Sequence, residues 1–163
     1  MTDVGISGGI VLQQLGTPAE VAAFFSLIEH HKSKSVDGRL EVVTDRLFRR
    51  TVRGEQFDAL VEQLAECRHI LERVRISDGF WDRFGLGDRA VSIDRSATNA
   101  AQAFRRLFDS LEFAIKMARM DKKEIGYLRP LRLMSTDGPK YYEHKFMPLE
   151  ELEKPDIRPI WME

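Results

Sequence analysis

Apolar residues recur at two different spacings along this 163-residue chain, and the change of spacing marks the elements. Near the start, Val4, Ile6, Ile10 and Leu12 alternate with small or polar residues through Gly8-Gly9, the period-two pattern of a half-buried strand with a bulge at the glycines. From Val21 the period lengthens, and Phe24, Phe25 and Ile28 share one face of a helix predicted from about Pro18 to Lys32. Its start is specified locally. Thr17 offers a capping oxygen, Pro18 has the fixed φ of a first turn, and Glu20 stands three residues after the cap, where a capping box closes.

A polar break over Ser33-Lys34-Ser35 and Asp37-Gly38 leads to a short second helix, about Arg39 to Arg49, with Leu40, Val43 and Leu47 inward. The third, about Gly54 to Val74, sets Phe57, Leu60, Val61, Leu64, Cys67, Leu71 and Val74 at helical spacing. A fourth starts near Ser96 or Thr98 and carries Phe104, Leu107, Phe108, Leu111, Ala114, Ile115 and Ala118 to about Arg119. Between these two, Ser77 to Asp94 is rich in Asp, Gly and aromatics, with Arg89-Ala90-Val91-Ser92-Ile93 as a short strand. Beyond the fourth helix, Tyr127, Arg129, Leu131 and Leu133 alternate, but Pro130 removes a backbone donor, which predicts an edge strand or an irregular extended segment. Asp137-Gly138-Pro139 reads as a turn, with Tyr141 to Met147 returning as its hairpin partner. Residues 148–163 contain three prolines and read as an extended tail tied down by Ile157, Ile160 and Trp161. The expected architecture is α+β: one helix-dominated domain over 1–147, with about four helices and a small antiparallel sheet, and a C-terminal tail over 148–163.

Composition narrows the function. A 43% hydrophobic chain of this length supplies one real core and is short for two. With 25 Lys+Arg against 26 Asp+Glu, no global basic field draws nucleic acid to the surface. The single cysteine, Cys67, excludes an internal disulfide and a cysteine-based zinc site, and fits a reducing compartment. No apolar run reaches bilayer length, and Asp3 with two glycines stands where a secretory signal carries basic and apolar residues, so a cytoplasmic protein with no membrane partner is expected.

Candidate chemistry is sparse. The adjacent histidines of Glu29-His30-His31 point about 100° apart on a helix, and the four-residue spacing of a zinc helix is missing, so a solvated helix end is the simpler reading. Cys67 and His69 stand two apart, where a helix does not let them share a ligand or act as a catalytic pair, and Cys67 lies on the apolar stripe. Gly85-Leu86-Gly87-Asp88-Arg89-Ala90 matches G-x-G-x-x-A, yet neither a buried strand before it nor a long helix within it accompanies the match. No catalytic residue, metal site or cofactor is expected.

The run Leu15-Gly16-Thr17-Pro18 into Phe24-Phe25-Ser26-Leu27-Ile28, then Arg39-Leu40-Glu41-Val42-Val43 into Arg46-Leu47-Phe48, then a long helix with Leu64, Arg68, Ile70 and Leu71, resembles a family of small bacterial immunity proteins. The resemblance runs over about residues 4–120, and 121–163 has no counterpart in it. Members of that family neutralise the C-terminal toxin domains of polymorphic and contact-dependent growth-inhibition toxins. The resemblance implies a non-enzymatic inhibitor whose partner is a cognate toxin domain, often a nuclease and in some systems a tRNase, held by covering its active site or substrate surface.

Two acidic regions suit such a partner. Phe80, Trp81 and Phe84 are interleaved with Asp78, Asp82 and Asp88, either as a partner-facing surface or with the aromatics folded back as a lid and the aspartates outward. In the tail region, Glu143, Glu150, Glu151, Glu153, Asp156 and Glu163 outnumber Lys145, Lys154 and Arg158 by three. The candidate toxin-binding residues are therefore Asp78, Trp81, Asp82, Asp88, Glu143, Glu150, Glu151, Glu153 and Asp156. The alternative is a small regulatory nucleic-acid-binding protein. It would use Arg46, Arg49, Arg50 and Arg53, or Arg105, Arg106, Lys116, Arg119, Lys122 and Lys123, although these alternate with carboxylates as on a solvated helix face.

Overall fold

A four-stranded antiparallel sheet joins the two ends of the chain. The computed structural model describes residues 3–8, 12–33, 39–86 and 93–162. Strand β1 (Val4–Ser7) lies between β2 (Leu12–Gly16) and β4 (Leu131–Ser135), and β3 (Thr51–Val52) pairs with the far side of β4, giving the order β2-β1-β4-β3. Ile6 faces Gln13 on one side and Leu133 on the other. The register shift between β1 and β2 falls at Val4/Gly5, whereas Gly9 of the expected bulge lies outside the described residues. Gly5 is required there, since a Cβ would sit 2.7 Å from Thr136 Cγ2 and 2.8 Å from the Gln13 carbonyl oxygen.

The segment read as an edge strand is interior. Pro130 stands one residue before β4, so its missing N–H breaks no ladder bond; β1 pairs along one side of the strand and β3 with Leu131 and Arg132 on the other. Beyond the two residues that β3 pairs, the segment expected as a hairpin partner adds no strand to β4. It forms instead the helix α5 (Gly138–Lys145), with Pro139 in its first turn, and α5 packs against β4. Buried His144 accepts the Ser135 N–H at Nδ1, 3.0 Å away, and so takes the place of a strand partner.

Helix α1 (Pro18–His31) begins as its residues dictate: Thr17 Oγ1 accepts the Glu20 N–H at 3.2 Å, and its hydroxyl donates to the Glu20 carboxylate at 3.2 Å. The predicted second helix is wider than an α-helix, with π-type hydrogen bonding over Val42–Leu47. Helix α2 (Phe57–Glu72) follows a 3-10 turn at Gly54–Gln56. The fourth predicted helix is interrupted at Phe104 into α3 (Ala100–Ala103) and α4 (Arg105–Ile125). Asn99 caps it, accepting the Gln102 N–H at 2.9 Å, and Gly126 in the left-handed region ends it. Of the strand expected at 89–93, only Ile93 is described, and it is buried.

The main core lies between the helices and one face of the sheet. At its centre Phe24 meets Phe25, Phe104 and Phe108 edge-on, with ring centroids 5.2–5.5 Å apart. Leu131 and Leu133 enter this core, while Met134, on the opposite face of β4, is buried outside it together with Leu152 and Ile160. The residues expected as an extended tail thus contain a helical turn, α6 (Leu149–Leu152), and a closing 3-10 turn at Ile160–Met162. Trp161 reaches the main core, where its indole N–H donates to the Phe48 carbonyl at 2.8 Å.

Candidate protein-binding face

The C-terminal quarter is fastened by arginines within and just after the wide helix. Arg46 grips Glu153 with both terminal nitrogens, each 2.6 Å from a carboxylate oxygen, and its Nε donates to the Thr51 carbonyl at 3.0 Å. Arg53 adds a longer contact to Glu153 at 3.7 Å. Arg49 and Arg50 share the carboxylate of Asp45 and reach past it: Arg49 donates to the Ile157 carbonyl at 3.2 Å, and Arg50 to those of Leu152 and Lys154 at 3.1 and 2.7 Å. Further along, Arg132 donates to the carbonyls of His144 and Met147, both at 2.9 Å, and so holds the end of α5 where the helix is electronegative.

These contacts set the charge states. The hydrogen bond from Arg46, with the fields of Arg46, Arg53 and Arg50, holds the Glu153 carboxyl below the usual glutamate range, outweighing its partial burial. For Asp45 burial alone would raise the pKa, but the hydrogen bond and charge of Arg49, joined by Arg50, bring it below the ordinary value. Of the arginines weighed for nucleic acid near the wide helix, Arg46, Arg49 and Arg50 are therefore directed inward, onto the chain's own C-terminal segment, while Arg53 stays half exposed.

What this fastening presents outward is apolar and acidic. Tyr142 on α5 and Phe146 at its C-terminal cap, four residues apart, are 64% and 72% exposed, and Leu149 at the start of α6 is 39% exposed. The ammonium of Lys145 lies 5.5 Å from the Tyr141 ring centre and 5.9 Å from that of Phe146. Glu143 and Glu150 stand exposed on the same two elements, and among the described residues neither meets a cation within 4.0 Å. Glu151 pairs with Lys154 at 2.8 Å, Asp156 is exposed, and Glu153 is engaged in the Arg46 clamp.

The other acidic region is built differently. A 3-10 turn at Phe80–Phe84 is flanked by Gly79 (φ 75°) and Gly85 (φ 67°), backbone geometry that favours glycine at both ends. The turn carries Phe80 and Trp81 into the core, where Trp81 is 6% exposed and lies 5.6 Å from Phe104, so the aromatics form a lid. Asp78 and Asp82 point outward, and Asp88 lies outside the described residues. Of the nine candidate positions, Glu143 and Glu150 therefore stand exposed on the same short segment as exposed aromatics, Asp78 and Asp82 border a lid, and Trp81 and Glu153 are taken up by the fold. Tyr142, Phe146 and Leu149 went unread because only the carboxylates of this region were weighed; Tyr142 and Phe146, four apart, share one side in a strand as they do on a helix.

The remaining polar groups keep to simple roles. His30 and His31 stack edge to face at 4.8 Å at the end of α1, and burial, then His30 and Arg83, lowers the His31 pKa. Cys67 is fully buried, and burial, helped by the charge of Glu66, pushes its thiol up to about 12. Among the described residues no group of three or more His, Cys, Asp and Glu is placed to hold a metal ion, and no helix is long and apolar enough to cross a membrane. Compared with protein-family models, with curated proteins and with solved structures, the chain matches none.

Proposed function

We propose that this chain is an immunity protein that binds one toxin domain, a nuclease in the simplest case, and neutralises it by covering its active site or substrate surface. The observation that carries the proposal is the run of exposed apolar side chains Tyr142, Phe146 and Leu149, interspersed with the exposed carboxylates Glu143 and Glu150, on a segment fastened by the Arg46, Arg49, Arg50 and Arg132 contacts. Exposed aromatics at the centre of a patch are the side chains from which tight protein interfaces draw most of their energy. Carboxylates around them attract a basic, nucleic-acid-binding surface before contact and orient it on docking. Fastening matters as well. A face already held in one geometry loses little conformational freedom on binding, so more of the contact energy appears as affinity.

The nucleic-acid reading is weakened by the same geometry, because Arg46, Arg49 and Arg50 are spent on carboxylates and carbonyls of the chain itself. In the immunity reading the chain acts in the cytoplasm, without catalysis, cofactor or direct nucleic-acid contact. The test is inhibition of the purified toxin domain encoded beside this chain. Parent protein should abolish its activity at a slight molar excess, and Phe146→Ala combined with Glu150→Lys should raise the amount required by at least about tenfold, equivalent to about 1.4 kcal/mol. Toxin activity unchanged by a molar excess of parent protein would refute the proposal.

A further inference from the structure

A groove of about 500 Å³ runs between α2 and α4, remote in chemistry from the acidic face. Its floor is Val61, Leu64, Ala65, Ile115 and Met120, of which Val61 is 43% and Met120 50% exposed. Two ion pairs tie the flanking helices together: Arg119 to Asp58 at 2.6 Å, and Arg68 to Glu112 at 2.7 Å. These pairings run the helices antiparallel. Arg68 is further held over the Phe108 ring, 4.5 Å from its centre. Lys116 and Lys123 complete the rim, and among the described residues neither has a carboxylate within 4.0 Å.

We infer that this groove is a docking site for an acidic amphipathic helix of a partner protein. The lengths agree: Val61 to His69 spans about 12 Å of α2 and Glu112 to Lys123 about 16 Å of α4, enough for two to three turns of a bound helix. An apolar stripe at i, i+4 and i+7 fills such a floor, as in other helix-in-groove complexes. The charges select its sign. Lys116 and Lys123 are seven residues apart on one stripe, about 10 Å along the axis, and face carboxylates placed seven apart on the occupant. A phosphate backbone matches the rim but leaves the apolar floor unfilled. A basic helix fills the floor and meets two uncompensated ammonium groups.

The inference is independent of the proposed function, and its test separates the two. A fluorescein-labelled 14-residue synthetic helix with leucines at i, i+4, i+7 and i+11 and glutamates flanking them is titrated with the full chain, followed by anisotropy at low salt. Its twin carries lysine in place of each glutamate. The expected result is saturable binding of the acidic peptide at least about tenfold tighter than the twin. The same loss, about tenfold, is expected for parent peptide on Lys116→Glu with Lys123→Glu, and on Val61→Glu. All three positions are exposed, so circular dichroism should show these variants folded, and their toxin inhibition should equal the parent's. Equal binding of both peptides, no saturable binding, or unchanged affinity in the variants would overturn the inference. So would displacement of the peptide by an oligouridine RNA, which would make the groove a nucleic-acid site, or parent self-association abolished by Val61→Glu, which would make its occupant a second copy.

Discussion

Replacing Glu153 by Gln removes one charge from the clamp while keeping the shape of the side chain. In the parent, both oxygens of Glu153 accept from Arg46 at 2.6 Å, with the two side chains 26% and 15% exposed. A hydrogen bond to a charged acceptor contributes about 1.5–3 kcal/mol and a neutral one about 0.5–1.5 kcal/mol. Solvent at the partly open carboxylate reduces the difference, and one of the two bonds survives on the amide oxygen, so the expected loss is about 1–2 kcal/mol. For a chain of this size that lowers Tm by roughly 2–8 °C. The pH dependence has a definite sign. Arg46 holds the folded-state pKa of Glu153 below the ordinary value of 4.5, so the stabilisation is complete above that value and disappears as pH falls through the lowered folded-state pKa. Urea unfolding of parent and variant at neutral pH and again well below pH 4.5 should give two midpoints that differ at the first pH and converge at the second. Equal stability at neutral pH, or a difference that stays constant into acid, would refute the assignment of Glu153 as the anchor of the C-terminal segment.

Thr17→Ala should cost about 1 kcal/mol by removing the cap of α1, and Phe25→Ala about 3–5 kcal/mol by emptying a site between Phe24, Phe48 and Trp161; a urea series that reversed this order would show the core misassigned. Cys67 should resist an aromatic disulfide reagent at pH 8 in the native protein and react on addition of denaturant, because its thiol is buried and its pKa is pushed up to about 12. Tyr142→Ala and Phe146→Ala should each leave stability within about 0.5 kcal/mol by thermal melting, as expected for exposed side chains. Asp78→Asn with Asp82→Asn should slow stopped-flow association with the toxin domain at low salt by less than Glu143→Gln with Glu150→Gln does, and the reverse order would move the steering surface to the lid turn.

Elements whose cause is local were legible in the sequence. Thr17, Pro18 and Glu20 set the start of α1 within one turn of the chain, and the stripe from Leu107 to Ala118 marked α4. What was not legible depends on partners far apart in sequence. Pro130 looked disruptive for a strand interior, but whether it falls inside or just before β4 depends on pairing with Val4–Ser7, more than a hundred residues away. Tyr141 to Met147 lie on a helix that packs on β4 and turns His144 onto the Ser135 N–H, a contact no window of those seven residues reveals. The clamp is the extreme case: Arg46 and Glu153 are separated by 107 positions, so a cluster of arginines that reads as a cationic surface is in the fold an internal fastening. The aromatic turn lay between these limits, since glycines on both sides and the usual burial of Trp already favoured a lid with its aspartates outward.

The most direct test of the central claim is survival of cells expressing the adjacent toxin domain together with this chain. Parent chain, and the groove variant Lys116→Glu with Lys123→Glu, should restore growth, whereas Phe146→Ala with Glu150→Lys, folded and equally abundant, should not. Growth restored equally by all three would contradict the assignment of the α5–α6 face, and growth restored by none would contradict the immunity function itself.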